Sequence, residues 1–137
     1  MVTDIRQVEC GVRNSERGMK DGELRRRTRA FALEVIRFVG ALPSNRVTDV
    51  LGKQLLRSAT SVGANYRAAC RAKSRPDFIN KLSIVEEEAD ECSYWLDLIT
   101  EEKIASIEKA SLLSAEANEI TAMVVASIKS TRGGTRS

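Results

Sequence analysis

Lys53, Arg57, Arg67 and Arg71 are the residues whose type and spacing point most directly to chemistry. On a helix turning about 100° per residue they fall within an arc of about 80°, opposite Leu51, Leu55 and Val62. Small Thr60 and Ala64 lie between them, so a phosphate backbone could approach closely, and Arg46, Lys73 and Arg75 extend the basic bias into the flanking loops. Cations arranged in this way neutralise phosphates and position a nucleic acid without reading its sequence. The same pattern also fits a plain solvated helix face.

The opposite charge gathers on the next segment, where Glu86, Glu87, Glu88, Asp90, Glu91, Asp97, Glu101 and Glu102 far outnumber Lys81 and Lys103. A di-iron site in a helical bundle would need Glu-x-x-His pairs, and the chain has no histidine. The acidic face instead suits the basic one, within a subunit or between subunits. Cys10, Cys70 and Cys92 are odd in number and widely spaced, without the paired spacing of a zinc site. They read as small buried or spare thiols of a reducing compartment. A histidine base, a glycine-rich phosphate loop, a cysteine paired with a base and a serine elbow are all missing. No catalytic residue, metal or cofactor is therefore assigned, and a binding protein rather than an enzyme is expected.

Ile84, Trp95 and Leu98 carry a different kind of signal: an apolar stripe well away from the seam formed by Phe78, Leu82, Val85, Ala89, Cys92, Leu96 and Ile99. One helix of a small bundle does not easily bury two faces in one core, so the second is expected at a subunit or partner interface, the alternative being a wide core face or a neighbouring loop that covers it. Gly52, Leu56, Gly63 and Cys70 on one flank of the basic helix suit a close helix contact in the same way. Leu56 and Gly63 are accordingly placed in the expected interface with Ile84, Trp95 and Leu98.

These side chains require four helices to position them. The chain of 137 residues, with two prolines, eight glycines and 4% aromatics, has the size of one domain and a composition that favours helix over strand. Leu24, Thr28, Phe31, Val35, Phe38 and Leu42 alternate steps of four and three, the mark of an amphipathic helix ending before Pro43. A second helix starts near Thr48 or Asp49 and runs to about Lys73 along Leu51, Leu55, Ser58, Val62, Tyr66 and Ala69. Ser74-Arg75-Pro76-Asp77 opens a third as a capping box with proline in its first turn, ending near Glu102 or Lys103. The fourth follows Ser106 and runs to about Lys129, with Leu113, Ala117, Ile120, Val124 and Ile128 facing inward. Short loops between such helices favour antiparallel neighbours. The expectation is all-α: an antiparallel up-down four-helix bundle over residues 23–130, after a flexible segment 1–22 and before a disordered tail 131–137. No apolar run reaches the length of a membrane span, so a cytoplasmic location is expected. The net charge of +3 and pI near 8.9 are mildly basic, so the distribution of charge matters more than its total.

Three stretches of the chain resemble a known family: the run from Leu51 to Arg67, Gln-Leu-Leu-Arg-Ser followed by Ser-Val-Gly-Ala-Asn-Tyr-Arg; Ser74-Arg75-Pro76-Asp77-Phe78-Ile79; and Glu87-Glu88-Ala89-Asp90-Glu91 with Tyr94-Trp95-Leu96. They are similar to the bacterial four-helix-bundle proteins first noticed as reading frames in intervening sequences of 23S ribosomal RNA genes. The resemblance spans about Glu23 to Glu102, with the fourth helix similar only in pattern. It implies a cytosolic bundle assembled as a homopentamer, with no established activity. It also implies kinship with accessory proteins of diversity-generating retroelements, positively charged barrels that bind a reverse transcriptase and nucleic acid. Arg57 and Arg67 fall on the family's basic run, whereas Ala68 stands where many members have glutamate. The segment before Glu23 has no counterpart in the family pattern, reads as an overlong gene start and is assigned no function. The leading expectation is an oligomer that binds RNA, DNA or a nucleic-acid-handling partner through the second helix; the alternative is a protein-interaction scaffold without nucleic acid.

Overall fold

The computed structural model describes the backbone of residues 15–134 and the side chains of residues 22–133. It contains four helices, α1 (Ser15–Gly40), α2 (Arg46–Ala69), α3 (Arg75–Glu101) and α4 (Ile107–Gly134), and no strand among the described residues. Residues 1–14 and 135–137, which hold most of the expected flexible segment and part of the expected tail, lie outside the described residues.

The helix ends follow from local capping. Asn45 is extended and its side chain accepts from Thr48 N at 3.0 Å, so α2 begins three residues before Asp49. Ser74 does the same for α3, accepting from Asp77 N at 3.2 Å with Pro76 in the first turn, as the sequence motif indicates. At the other end of α3, Lys103 adopts φ 56 while Ile104 N donates to Ile99 O and Lys103 N to Thr100 O, both at 3.0 Å. This is the Schellman closure, here with a lysine where glycine is usual. Ser106 caps α4 through a bond from Lys109 N at 3.4 Å.

Two helices are longer than the apolar pattern indicates. α1 starts at Ser15, before the boundary at Glu23, and α4 continues through Gly134 rather than stopping near Lys129. The α4 extension has a packing reason: Thr131 is 1% exposed and its carbonyl accepts from Arg75 Nη1 at 3.4 Å, tying the last turn to the start of α3.

Leu24, Phe31 and Val35 of α1, Leu55, Val62 and Tyr66 of α2, Phe78, Leu82, Val85, Leu96 and Ile99 of α3, and Ala117, Ile120 and Val124 of α4 bury together in one apolar core. Burying each large side chain contributes on the order of 1.5–3 kcal/mol. Leu42 and Leu51 are only half-buried, at the edge of that core. α1 packs on α2 and α4, and α3 likewise packs on α2 and α4. Gly63 lets α1 and α2 approach closely, because an added Cβ would stand 3.3 Å from Thr28 O. Gly52 makes a similar approach to Val39 and Leu42. No helix among the described residues is long and apolar enough to cross a membrane.

Candidate nucleic-acid interface

The turn through residues 70–74 brings the start of α3 beside the end of α2. Between them lies an open groove of about 680 Å³ lined by Ala64, Arg67, Ala68, Arg71, Lys73, Asp77 and Lys81. Four of the lining side chains are cations and one is a carboxylate. Among the described residues no ion pair holds Arg67, Arg71, Lys73 or Lys81, so their charge faces the groove uncompensated except by Asp77. Alanines 64 and 68 keep the groove shallow, which lets an extended anion reach the guanidinium groups.

Arg57 belongs to the same helix and the same arc, yet its role differs. Its Nη1 and Nη2 donate to the two carboxylate oxygens of Glu88 at 3.3 and 3.2 Å, and Nη2 also donates to Glu91. These contacts hold its guanidinium protonated above the usual arginine range, with Glu88 the stronger influence and Glu91 the next. Glu91 in turn accepts from the Trp95 indole N–H at 2.9 Å. That hydrogen bond, more than the arginine, keeps the Glu91 carboxyl below its ordinary value, against the opposing push of burial. The acidic face of α3 thus meets the basic face of α2 inside one chain at this point. Lys53 lies fourteen residues before Arg67, about 21 Å along the helix axis, and does not join the groove. Of the four cations expected to act together, the structure brings together Arg67 and Arg71, removes Arg57 into an internal pair and leaves Lys53 apart.

The residues expected at an interface also divide. Trp95 packs against the shared core, its ring edge-on to Tyr94 at 5.0 Å between centroids, and its N–H is satisfied by Glu91. Gly63 faces the backbone of α1, a contact within the chain that accounts for the glycine without a second subunit. Ile84, Leu98 and Leu56 are half-buried and outside the core.

Lys81 is the groove residue that the sequence reading counted only as a minority charge on an acidic helix. Its position becomes informative once α3 is folded back along α2, where a residue two turns into α3 stands opposite the last turns of α2. Arg27 shows how efficiently a charge can be neutralised elsewhere: Glu116 accepts from its Nε at 2.9 Å and from Nη2 at 2.7 Å, which raises its proton affinity further.

Among the described residues no group of Cys, Asp and Glu side chains is placed to hold a metal ion. Cys92 is a free thiol in the core whose Sγ lies 3.4 Å from Ser58 Oγ, and burial pushes it up to about 11. Cys70 is buried just past the end of α2, and Cys10 lies outside the described residues.

The model of the 23S rRNA-intervening sequence protein family matches residues 20–126. A solved structure from Bacteroides thetaiotaomicron VPI-5482, a protein of unknown function from the S23 ribosomal protein family, is similar to the chain at 36% identity and a TM-score of 0.76. The alignment covers 80% of this chain and 98% of that one. No protein of curated function matches.

Proposed function

The chain belongs to the 23S rRNA-intervening sequence protein family, and from that premise we propose that it is a non-catalytic, oligomeric bundle that binds RNA or DNA through the groove between α2 and α3. The four helices are read as antiparallel and up-down, since Gly52 meets Val39 while Gly63 meets Thr28, and Arg75 meets Thr131. The subunit count is taken as five and the location as cytoplasmic, both from the family resemblance.

The observation that carries the binding reading is the convergence of Arg67, Arg71, Lys73 and Lys81 on one shallow groove with a single opposing carboxylate. Four phosphate contacts give a salt slope of about 3 to 4 on a logarithmic scale, so affinity should fall by roughly a hundredfold between about 50 and 200 mM salt. Binding of a generic RNA hairpin, followed by fluorescence anisotropy at several salt concentrations, tests it. A salt-insensitive signal, or none, removes the reading.

The scaffold alternative draws on the bond between Arg57, Glu88 and Glu91, which shows that α3 carboxylates can take up α2 cations. Loss of self-association, with no RNA binding by the wild-type protein, would favour it.

A further inference from the structure

One flank of α1 carries Arg25, Arg29, Ala32 and Ile36, at steps of four, three and four. Both arginines are exposed and held by no ion pair among the described residues, Ala32 is half-buried, and Ile36 is 46% exposed. The flank of α3 beside α4 carries Asp90, Tyr94, Asp97 and Glu101, again at steps of four, three and four. Its carboxylates are exposed and form no ion pair among the described residues, and Tyr94 is 56% exposed. α1 and α3 each pack on α2 and α4.

We propose that these faces are the two halves of a head-to-tail interface, with α1 of one copy lying antiparallel on α3 of the next. In that register the steps coincide: Arg25 faces Glu101, Arg29 faces Asp97, and Ala32 makes room for the Tyr94 ring. Long helical side chains lean toward the N-terminus of their helix. Tyr94 therefore tilts toward Asp90 and onto Ile36 of the neighbouring copy. The occupant is a second copy rather than a foreign protein because the chain itself supplies the complementary stripe, matched in sign, period and length. The interface is heterologous, since different surfaces meet, and such contacts build rings when the rotation closes. It is a different surface from Ile84, Trp95, Leu98, Leu56 and Gly63. The inference deepens the oligomeric part of the proposed function and is independent of the basic groove.

Light scattering at about 50 mM salt provides the test. The Arg25→Glu/Arg29→Glu variant and the Asp97→Arg/Glu101→Arg variant should each drop to monomer mass with unchanged helicity, and the fourfold combination should recover the wild-type mass. Wild-type mass in either double variant, a combination that stays monomeric, or a monomeric wild type would each overturn the proposal. A second measurement does not depend on charge. Mixing Ala32→Cys with Tyr94→Cys protein under mild oxidation should yield a covalent dimer of one copy of each. No such mixed dimer, or equal cross-linking by either variant alone, also overturns it. RNA binding by the monomeric variants reports on the groove separately, so the two readings can fail independently.

Discussion

Two stretches of the α2–α3 contact, ten residues apart on α2, use the same residue type to opposite ends. At Arg57 the facing turn of α3 presents Glu88 and Glu91, and the arginine becomes part of the internal architecture. At Arg67 and Arg71 the facing turn presents Lys81, with only Asp77 of opposite sign, and the arginines remain available. A helical wheel carried two residues past the end of α2 at Ala69, as the sequence suggests, makes these three arginines equivalent; what separates them is the residue opposite on the other helix. A basic stripe is therefore evidence for anion binding only where its tertiary neighbours leave it uncompensated.

The most direct way to break this comparison is to measure RNA affinity at both places. Changing Arg67, Arg71, Lys73 and Lys81 together to Glu should weaken binding by on the order of a hundredfold or more and flatten the salt dependence. Arg57→Ala should change affinity by less than about twofold, because its charge is already neutralised. Equal losses from the two variants would dissolve the distinction.

Beneath the Arg57 pair the contact is fully buried, and Cys92 reports on it. A thiol whose proton affinity is raised to about 11 from 9.0 adds stability that is fully present below pH 9 and lost as pH rises toward 11. The loss should approach about 2 kcal/mol, seen as a falling urea midpoint across that window. Cys92→Ala, less stable at pH 8 because of the cavity it leaves, should show a shallower decline over the same range. Parallel declines in the two proteins would mean that other groups cause the alkaline transition.

The helices were legible because every expected inward position of α3, from Phe78 to Ile99, obeys one period, and the structure buries all of them. Helix ends were less so. The sequence points to Thr48 or Asp49 as the start of α2, whereas the backbone geometry makes Asn45 the cap. The last turn of α4 lacks an apolar period and is held by a bond from Arg75, 56 residues away, which no local window contains. For the site, cations on α2 were visible as a set, whereas their division was not. Arg57 finds Glu88 at a separation of 31 residues, and Lys81 joins the groove only through the fold. Gly63 illustrates the same limit, since a helical glycine announces a close approach without saying whether the neighbour is α1 or another subunit.

A gentler test converts one stretch into the other. Replacing Glu88 and Glu91 with Gln leaves Arg57 exposed and unneutralised, so RNA affinity should rise severalfold and the salt slope should steepen by about 0.7 to 0.9. The stability cost should stay below about 1 kcal/mol, since the arginine side chain is 47% exposed in the pair. An unchanged slope would show that a free cation at this place is too far from the groove to share a ligand.

The smallest expected effect is also the most local. Glu91 holds its proton less tightly in the folded chain, chiefly through the Trp95 indole and then through Arg57. A carboxyl lowered in this way adds stability above its ordinary value near 4.5, and that contribution disappears as pH falls through the folded value. With its side chain 36% exposed, solvent screening limits the amount to a few tenths of a kcal/mol, too little to read from unfolding curves. Trp95 is the chain's only tryptophan, so its emission can be followed through the acid range as the indole loses a charged acceptor for a neutral one. The wild-type protein should show a spectral step below pH 4.5, Arg57→Ala should move that step toward the ordinary value, and Glu91→Gln should abolish it. If the step survives in Glu91→Gln, the tryptophan is sensing another carboxyl, and the chain of contacts from Arg57 through Glu91 to Trp95 does not organise the paired stretch.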